Sequence, residues 1–541
     1  SINDPNNETR VSWFDNLETS PVFIDSTDGD YHLSDLSPVI SAATSSITID
    51  DITYTAPTTD LDGNPRPNPA GTSPDMGAYE SDKGVDPNYA GPVWYVDGPA
   101  GVPYGNGGPG APFTTIQAGI DASSSGDTVS VKAGIYVENI DFSGKNIAVI
   151  GEDRETTIID GNQGGSVVTF ANNETAGAVI SEFTIQNGMA FPGYFDSGPF
   201  AGGVGGGIIC DGASPVLKNL IIKNNATPSG SNYGGGIFAK AGNISIENCV
   251  VKNNTSDNGS GIWIYGGSGG SSGSIKNSVI YDNTSGSGSQ NSSLCIASAS
   301  GSNASLINSV IYNNNNIGVK VVDGSTLNII NSIIMNNGIT ADSAQILIGG
   351  LPSAPGTVII NHSMISNGQS VITIEEGGSL VWGSGNIDVD PMFVDTANGN
   401  YHLLASSQLI NAGHPDSLDS DGTVADIGAY PYLNSYSGPL WVVEESSGND
   451  TTGTGADDNK FASIQAAINF SSDGDSVSVW PGTYYENINF RGRNIKVVGY
   501  QWTTGAYPVI DGNQSGSVVT FENGETSVAL LSGFTIQNGY S

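Results

Sequence analysis

The sequence predicts an all-β fold, a right-handed parallel β-helix made of tandem units of about 350 residues that each begin with a short capping helix. Three observations support this fold: a long internal duplication, a composition rich in strand and turn residues, and a coil-length period marked by asparagine. Residues 156–188 recur at 507–539 with 22 identical residues in 33 positions. Recurrence over such a distance is typical of repeat architectures.

A second pair of matching segments gives the order of the units. PVFIDSTDGDYHL at 21–33 matches PMFVDTANGNYHL at 391–403, and DMGAY at 75–79 matches DIGAY at 426–430. We therefore predict the C-terminal part of one β-helix unit at 1–85, a complete unit at 91–437 and the N-terminal part of a third unit at 438–541. Because both ends fall inside a unit, we expect a piece of a longer protein or a processed product.

The composition favours short strands and turns over helices. The chain has 541 residues with 74 Gly and 13% charged residues, and Asn, Ser, Thr, Val and Ile are abundant. Acidic residues number 54 against 16 Lys plus Arg, which gives a formal charge of −38. Nucleic acids and anionic membranes need a positive surface, so this charge argues against them as partners and favours cations. No stretch resembles a signal peptide or a membrane span.

The three cysteines, Cys210, Cys249 and Cys295, all lie in the predicted complete unit. Their odd number and irregular spacing indicate neither a disulfide framework nor a metal motif such as CxxC. We expect buried thiols that fill core positions.

A shorter period divides the complete unit into coils. Six segments, NLIIKNN, NCVVKNN, NSVIYDN, NSVIYNN, NSIIMNN and NHSMISN, begin at residues 219, 248, 277, 308, 331 and 361. Glycine-led apolar runs such as GGGIIC and GGGIFA lie between them, so each coil is expected to contain two or three short strands. Tight hairpins would not keep a period of about 29 residues, so each strand should pair in parallel with its equivalent in the next coil.

Asparagine stands at the first and seventh positions of all six segments. Asn tolerates left-handed backbone geometry at a sharp corner, and Asn side chains stacked about 4.8 Å apart can hydrogen-bond along the stack. We predict a structural ladder of seventh-position residues, with sugar binding as the alternative role. The predicted ladder consists of Asn225, Asn254, Asn283, Asn314, Asn337 and Asn367.

The opening of the unit carries the most specific pattern in the chain. FTTIQAGIDASSSGDTVSVKAGIYVENI at 113–140 and FASIQAAINFSSDGDSVSVWPGTYYENI at 461–488 share an IQA piece that predicts a short helix over the open end of the solenoid. With the G-x-Y-x-E-N-I coil that follows, this opening resembles the start of pectin-lyase-like right-handed β-helix proteins, including pectin methylesterases and bacterial surface repeat proteins. The closing pieces P-x-F, Y-H-L and D-[IM]-G-A-Y resemble the end of large secreted bacterial β-helix proteins. The resemblance implies a secreted or cell-surface location.

The resemblance also implies catalytic groups, but the sequence does not bring them together. Lyases of this fold use an Arg or Lys base beside Asp-bound Ca²⁺, yet Arg154 is the only Arg between residues 91 and 490 and the Lys residues of the coils lack an Asp cluster. The esterases use paired Asp with Arg and Gln, and Gln186 has no such partner nearby in sequence. A hydrolase needs close carboxylates, whereas Glu247, Asp282 and Asp323 fall in different coils.

The acidic turn before D-I-G-A-Y is a predicted ligand site. Closely spaced carboxylates followed by glycine can converge on a hard cation, so we predict Ca²⁺ there, with a solvated turn as the alternative. The predicted ligands are Asp419, Asp421 and Asp426, with Asp60, Asp62 and Asp75 as their counterparts in the preceding unit. The repeated His32 and His402 indicate packing, and the four histidines show no metal-binding spacing.

Duplication, acidity and scattered catalytic groups favour a structural role. We predict an extracellular stalk, adhesin shaft or matrix fibre without catalysis in this stretch, whose partners are acidic polysaccharide or further copies joined end to end. A polysaccharide lyase-like enzyme or a glycan-binding module is the alternative, and a self-assembling filament subunit is a third hypothesis. Exposed aromatics beside paired charges would favour the alternative, and the candidates are Trp263, Tyr265, Tyr281 and Tyr312.

Overall fold

The computed structural model describes residues 21–34, 37, 39–49, 51–68, 70–83, 89–98, 105–191, 203–230, 232–267, 270–286, 291–297, 301–338, 344–501 and 505–540. The first 20 residues of the predicted first unit and its end at 84–88 lie outside this described part. The described residues are mostly strand and turn, with two α-helices and the short 3₁₀ helices Gly368–Val371 and Thr396–Asn398. None of their helices is long and apolar enough to cross a membrane.

Three long parallel sheets wind around one axis between residues 93 and 382. Sheet 1 has eleven strands: Val93–Val96, Thr128–Val131, Ala148–Gly151, Val179–Ser181, Val216–Lys218, Asn243–Glu247, Ser271–Lys276, Ser302–Ile307, Thr326–Ile330, Thr357–Asn361 and Ser379–Trp382. Sheet 2 has nine: Gly134–Val137, Thr157–Asp160, Thr184–Gln186, Ile221–Lys223, Val250–Lys252, Val279–Tyr281, Val310–Tyr312, Ile333–Met335 and Met364–Ile365. Sheet 3 has nine: Ile140–Asp141, Val168–Phe170, Ile208–Asp211, Ile237–Lys240, Ile262–Tyr265, Ser292–Ala297, Ile317–Val321, Ile346–Ile348 and Ile372–Ile374.

Each complete coil contributes one strand to each sheet. Every such strand pairs in parallel with its equivalent in the next coil, as Ile221–Lys223 does with Val250–Lys252. The predicted parallel β-helix is therefore confirmed.

Aliphatic side chains fill the bore of the β-helix. The middle residue of a sheet 2 strand points inward, and Ile185, Ile222 and Val251 in successive coils are fully buried. Burying one such side chain contributes about 1.5–3 kcal/mol, so a stack of them stabilises the solenoid along its length. The three cysteines are free and buried, as the sequence predicts.

A short helix closes the start of each β-helix, as the IQA pieces predict. Helix α1 is Ile116–Ala122 and helix α2 is Ile464–Phe470. The Thr115 hydroxyl accepts a hydrogen bond in the first turn of α1, and the Glu138 carboxylate accepts from its first two N–H groups at 2.8 and 3.0 Å. The equivalent Ser and Glu of α2 make the same bonds. The Glu of the G-x-Y-x-E-N-I coil thus pairs N–H groups that would otherwise lack partners.

A second β-helix begins after residue 438. Its strands are Leu440–Val443, Ser476–Val479, Lys496–Gly499 and Leu530–Ser532 in one sheet, Thr483–Tyr485, Val509–Asp511 and Thr535–Gln537 in the next, and Ile488–Asn489 and Val519–Thr520 in the third. These sheets repeat the first strands of sheets 1, 2 and 3 in order, because the two openings share their sequence pattern.

The closing segment, residues 391–434, leaves the coils and folds back along the outer face of sheet 2. Its hairpin places Tyr401 and Leu403 on outward-pointing residues of sheet 2 such as Val310 and Ile333. Among the described residues, the antiparallel strand pairs are Phe23–Asp25 with Asp30–Leu33, Ser46–Ile49 with Ile52–Thr55, Gly350–Leu351 with Ala354–Pro355, and Phe393–Asp395 with Asn400–Leu403. A short parallel pair joins Thr255–Ser256 to Thr284–Ser285.

The corners between sheets 2 and 3 carry a ladder of asparagine amides. Each Nδ2 donates to the Oδ1 of the next residue at 2.8 to 3.1 Å. The bonded residues are Asn225, Asn254, Asn283, Asn314 and Asn337. The left-handed conformation falls on the preceding residue, such as Asn253 with φ 54°. The left-handed turn and the stacked amide, which were expected of one residue, are therefore found on two adjacent residues.

Asn367 lies outside the ladder, so that part of the prediction is wrong. The register pairs Ile333 with Met364, which places Asn367 at the left-handed sixth position with φ 62°. The sixth segment is shifted by one residue, because His362 and not Asn361 occupies the first position. Gln345 ends the ladder instead, accepting at Oε1 from Asn337 Nδ2 at 2.9 Å.

Candidate functional site

A groove of about 560 Å³ lies between the corners that join sheets 1 and 2 and the closing segment. We call it the corner groove. One wall consists of Arg154, Glu182, Asn219, Asn248, Asn277 and Asn308, and the other of residues 418–420, Asp426 and 428–431.

The coil-side wall is a column of residues in the left-handed conformation. Glu182, Asn219, Asn248, Asn277 and Asn308 have φ values from 45° to 63°, which Asn adopts more readily than most residues. Asn219 Nδ2 donates to the Glu182 carboxylate, and Asn248 Nδ2 donates to Asn219 Oδ1 at 3.1 Å. Sequence analysis found the Asn corners and missed Glu182, because its segment SEFTIQNG lacks the first-position Asn.

Arg154 joins the two walls of the corner groove. Its guanidinium donates to the carbonyl of Asn248 at 3.1 Å on the coil side. On the other side lies Tyr430, where burial raises the pKa of the phenol and the hydrogen-bonded Arg154 opposes this shift. The ring of Tyr430 stacks on His402 at 4.4 Å between ring centroids. The groove therefore combines a guanidinium, a phenol and several amides.

The acidic turn holds the main chain of the closing segment. Asp419 Oδ2 accepts from the N–H of Asp426 at 2.9 Å. One oxygen of Asp421 accepts from the N–H and the hydroxyl of Thr423 at 3.1 and 2.7 Å. The Asp426 carboxylate accepts from two distant backbone N–H groups at 2.8 and 2.7 Å. Each predicted cation ligand is thus already hydrogen-bonded.

The counterparts Asp60, Asp62 and Asp75 are bonded in a similar way. Asp75 accepts from two backbone N–H groups, both at 2.6 Å, and Asp60 accepts from three at 2.7 to 3.0 Å. Asp62 differs, because its carboxylate lies 2.7 Å from His32 Nε2. Over the residues that the structure describes, no group of three or more His, Cys, Asp or Glu side chains is arranged to hold a metal ion. Calcium binding at either turn stays a prediction.

Burial changes the protonation of the closing-segment carboxyls. It raises the pKa of Asp426 to about 7, against its backbone hydrogen bonds, and the pKa of the equivalent Asp75 to about 6. Burial also raises the pKa of Asp419, which lines the groove. Asp426 in the closing segment and its counterpart Asp75 therefore have pKa values of about 7 and about 6.

The four lysines that stand just before a corner asparagine lie on two different sheets. Lys223 and Lys252 are neighbours on sheet 2, where Lys252 Nζ lies 5.5 Å from the centre of the Tyr281 ring. Lys218 and Lys276 lie on sheet 1, on either side of Glu247. Lysines that lie beside a carboxylate or an aromatic ring in this way are typical of a packed protein surface.

The three candidate carboxylates do not meet. Glu247 belongs to sheet 1 and accepts from the hydroxyl of Ser245 at 2.8 Å. Asp282 follows sheet 2 and accepts from Asn313 Nδ2 at 2.6 Å. Asp323 follows sheet 3, where burial raises its pKa and the nearby positive charge opposes the shift. They occupy different sides of the coil, whereas a hydrolase needs two close carboxylates.

Among the described residues, Gln186 has one acidic partner, Asp160, but no arginine beside it. Its Nε2 donates to Asp160 Oδ2 at 2.9 Å, because the parallel register makes the two residues neighbours. Gln537 and Asp511 repeat this bond at 2.8 Å in the second β-helix. A pair that recurs in both β-helices is typical of a structural role.

Two of the four candidate aromatic side chains are buried. Trp263 is 3% exposed and Tyr281 is 7% exposed. Tyr281 and Tyr312 both pack against Tyr401 of the closing segment, with ring centroids 5.0 and 5.2 Å apart. These two tyrosines therefore anchor the closing segment.

The closing segment also binds the second β-helix. Asn469 at the end of α2 is fully buried, and its Nδ2 donates to two carbonyls of the closing segment at 2.9 and 2.7 Å. Arg491 donates to a third carbonyl at 2.9 Å. The closing segment thus contacts both sheet 2 and the opening of the next β-helix. Sequence analysis missed both residues, because neither belongs to the repeated pattern.

Comparison with known proteins gives a family for the coils and distant structural likenesses. The family described as "Right handed beta helix region" matches residues 206–393, and no curated protein matches the chain. Pectate lyase Pel9A has 18% identity and a TM-score of 0.35, covering 63% of this chain and 96% of that one. Pectin methylesterase from carrot has 16% identity and a TM-score of 0.28, covering 55% of this chain and 90% of that one.

A third similar structure is the PL6 family alginate lyase AlyGC, with 13% identity, a TM-score of 0.23, and coverage of 82% of this chain and 71% of that one. At such low scores these likenesses carry no information about the activity of this chain. The three parallel ladders show a right-handed parallel β-helix fold, and the match to the family described as "Right handed beta helix region" falls on its coils.

Proposed function

We propose that the chain is a structural part of an extracellular tandem array, such as a stalk, an adhesin shaft or a fibre. In this proposal the β-helix units are joined through their closing segments. The observation that carries it is the position of residues 391–434 between two β-helices. Because this segment is bound to both β-helices, the orientation of one unit depends on the other, as a spacer requires.

The use of polar groups supports the same proposal. The acidic turn holds backbone N–H groups, and the corner asparagines hold one another. The three candidate carboxylates do not meet, and Lys223 and Lys252 lie on a different sheet from Glu247. Polar side chains whose hydrogen bonds hold the repeated coils and the closing segment favour a scaffold role over a catalytic one.

Small-angle X-ray scattering of the whole chain tests this proposal. The eleven strands of sheet 1 span about 48 Å at about 4.8 Å per step, and the second β-helix adds to this body. We expect a distance distribution with a long tail, as an elongated particle gives. A symmetric distribution of a compact sphere would contradict the spacer role.

A glycan-binding module is the second candidate function, because the corner groove offers amides at regular spacing beside Arg154. Titration calorimetry with neutral and acidic oligosaccharides tests it. Binding that is lost in Arg154→Ala and kept in Lys132→Ala would support it, since Lys132 is an exposed residue paired with Glu152 away from the groove. Absence of binding to both classes of oligosaccharide would remove this candidate.

A further inference from the structure

The residues that join the closing segment to helix α2 form a dense polar contact. Asn469 Nδ2 donates to the carbonyls of Ala405 and Ser407 at 2.9 and 2.7 Å. The guanidinium of Arg491 donates to the carbonyl of Ile410 at 2.9 Å and to Asn469 Oδ1 at 2.8 Å. The amide and the guanidinium therefore hold three carbonyls of the closing segment and orient each other.

An aromatic pair extends the same contact. Phe470 follows Asn469 in α2 and packs against Tyr432, with ring centroids 5.3 Å apart. Tyr432 also donates its hydroxyl hydrogen to the carbonyl of Gly453 in the second β-helix at 2.7 Å. The interface thus combines buried apolar area with hydrogen bonds, as specific protein interfaces do.

The duplication allows a comparison with the opening of the central β-helix. Alignment of IQAGIDA with IQAAINF places Asp121 at the position of Asn469 and Ala122 at that of Phe470. Alignment of DFSGK with NFRGR places Ser143 at the position of Arg491. On the partner side, DMGAYES against DIGAYPY places Ser81 at the position of Tyr432.

These four differences remove the donors and the apolar area together. A carboxylate such as Asp121 only accepts hydrogen bonds, so it cannot bind carbonyl groups, and Ser143 is far shorter than arginine. Asp121 and Ser143 are both exposed, whereas Asn469 is fully buried.

A basic residue that bonds within its own β-helix is kept in both openings. Lys145 donates to the last carbonyls of α1 at 2.7 and 2.8 Å, and the equivalent Arg493 donates to those of α2, both at 2.9 Å. The donor to the end of the helix is thus kept in both openings, whereas the positions that bond the closing segment have changed their chemistry.

We propose that Asn469 and Arg491, with the Phe470–Tyr432 pair, form a docking surface that selects the closing segment of the preceding unit. The opening of the central β-helix, which lacks these residues, does not bind residues 21–83 in this way. The inference rests on the proposed role of closing segments as joints, and it makes two successive joints of one chain unequal.

The cost of leaving the surface unpaired supports its selectivity. Burial lowers the pKa of Arg491 to about 9, while the nearby Asp426 opposes this shift. A guanidinium placed there without its carbonyl partners would leave both the charge and the carbonyls unsatisfied. A closing segment that cannot offer these carbonyls in register is therefore disfavoured.

Distance measurements between spin labels on the whole chain test the proposal. The native cysteines are buried, so labels attach to cysteines introduced at the exposed Asn303 and Asn523, one in each β-helix. We expect a narrow distance distribution. The double variant Asn469→Asp with Arg491→Ser, which carries the residues of the central opening, should widen it at least twofold, and the exposed Lys496→Ser should leave it unchanged.

A second label pair at Thr53 and Asn303 reports on the other joint, and its distribution should be the wider of the two. Far-UV circular dichroism checks that each variant stays folded, and Arg491→Lys, which keeps the charge, provides a milder variant. A distribution that stays narrow in the folded double variant, or equal widths for both label pairs, would overturn the proposal. The scattering test of the spacer role uses the unmodified chain and can fail independently.

Discussion

At the residue scale, the corners of the coil divide their tasks between adjacent asparagines. The sixth position of each segment takes the left-handed turn, as Asn253 does with φ 54°. The seventh position turns its amide inward, where Asn254 is fully buried and donates to both Asn283 Oδ1 and the carbonyl of Ile222. One residue bends the chain and the next pairs buried polar groups across coils, which keeps the coils in register.

Replacement of Asn254 by alanine should therefore be costly. The change leaves buried partners in two neighbouring coils unpaired, at about 1–3 kcal/mol for each group. We expect the free energy of unfolding to fall by at least about 2 kcal/mol, measured by urea denaturation. Asn303→Ala is the control, because Asn303 is exposed on sheet 1, and it should change stability by less than about 0.5 kcal/mol. Equal effects of the two changes would contradict the ladder's role.

The buried carboxyl of Asp426 should make stability depend on pH. Burial raises its pKa from 3.8 to about 7 in the folded state. Between these values the folded chain holds a proton that the unfolded chain has lost, so the free energy of unfolding falls as pH rises to about 7. Asp426→Asn should remove this contribution. Urea denaturation from acid to alkaline pH checks it, and a constant stability difference between the two proteins would refute it.

At the element scale, the closing segment occurs twice in the chain with different surroundings. Tyr401 is 2% exposed, because it packs on Tyr281, Tyr312 and Phe393. Its counterpart Tyr31 is 52% exposed. The same hairpin sequence therefore has one copy packed on a sheet and one copy with its tyrosine in solvent, which provides an internal comparison.

Tyr401→Ala should destabilise the central β-helix, whereas Tyr31→Ala should not. Loss of a large buried aromatic ring costs about 3–5 kcal/mol, and an exposed substitution costs about 0.5 kcal/mol or less. Thermal unfolding of the two variants measures the contrast. Similar melting temperatures for both would show that the closing segment contributes little to the stability of the β-helix.

An experiment can distinguish the two hypotheses for the acidic turn, a calcium site and a solvated turn. The Asp421 carboxylate accepts from both groups of Thr423, so Asp421→Asn removes an acceptor whether or not a cation is present. We expect the melting temperature to fall equally in millimolar calcium and in chelator. A fall confined to calcium would instead establish a cation site, because a ligand stabilises only the state that it binds.

At the scale of the whole molecule, shape and charge together suit an extended acidic surface. The formal charge of −38 is spread over 541 residues, which favours solubility and repels other polyanions. Sheets 1, 2 and 3 run in parallel along one axis, and the closing segment carries the chain to a second β-helix. A long body with a bonded joint is consistent with a spacer between distant points.

We expect the whole chain to release no unsaturated sugar from polygalacturonate or alginate, with or without calcium. A catalytic base must lie beside the proton it removes and needs a neighbour that tunes it. Lys223 and Lys252 stack on each other, and Lys252 lies against Tyr281. Ultraviolet absorbance of unsaturated uronates measures the reaction. Product formed by the chain and lost in Lys223→Ala or Lys252→Ala would move the protein into the enzyme class.

Elements with local, repeated signals were predictable from the sequence. The coil period, the capping helices and the parallel pairing follow from patterns that recur every coil or in both openings, so α1 at Ile116–Ala122 and the ladder from Asn225 to Asn337 lie where the patterns place them. The end of the ladder was not predictable in this way. The segment at residue 361 is shifted by one residue, and only the strand register reveals the shift.

The sequence by itself determined the solenoid, its caps and its acidic character, because each arises from residues close in the chain or repeated along it. The tertiary structure alone decided the contacts between distant elements. Arg154 reaches a carbonyl 94 residues away, and Arg491 reaches one 81 residues away. The first contact depends on the coils stacking in register, and the second depends on the closing segment folding back over sheet 2. No period or spacing encodes that path, so the corner groove and the joint between β-helices emerge only in three dimensions.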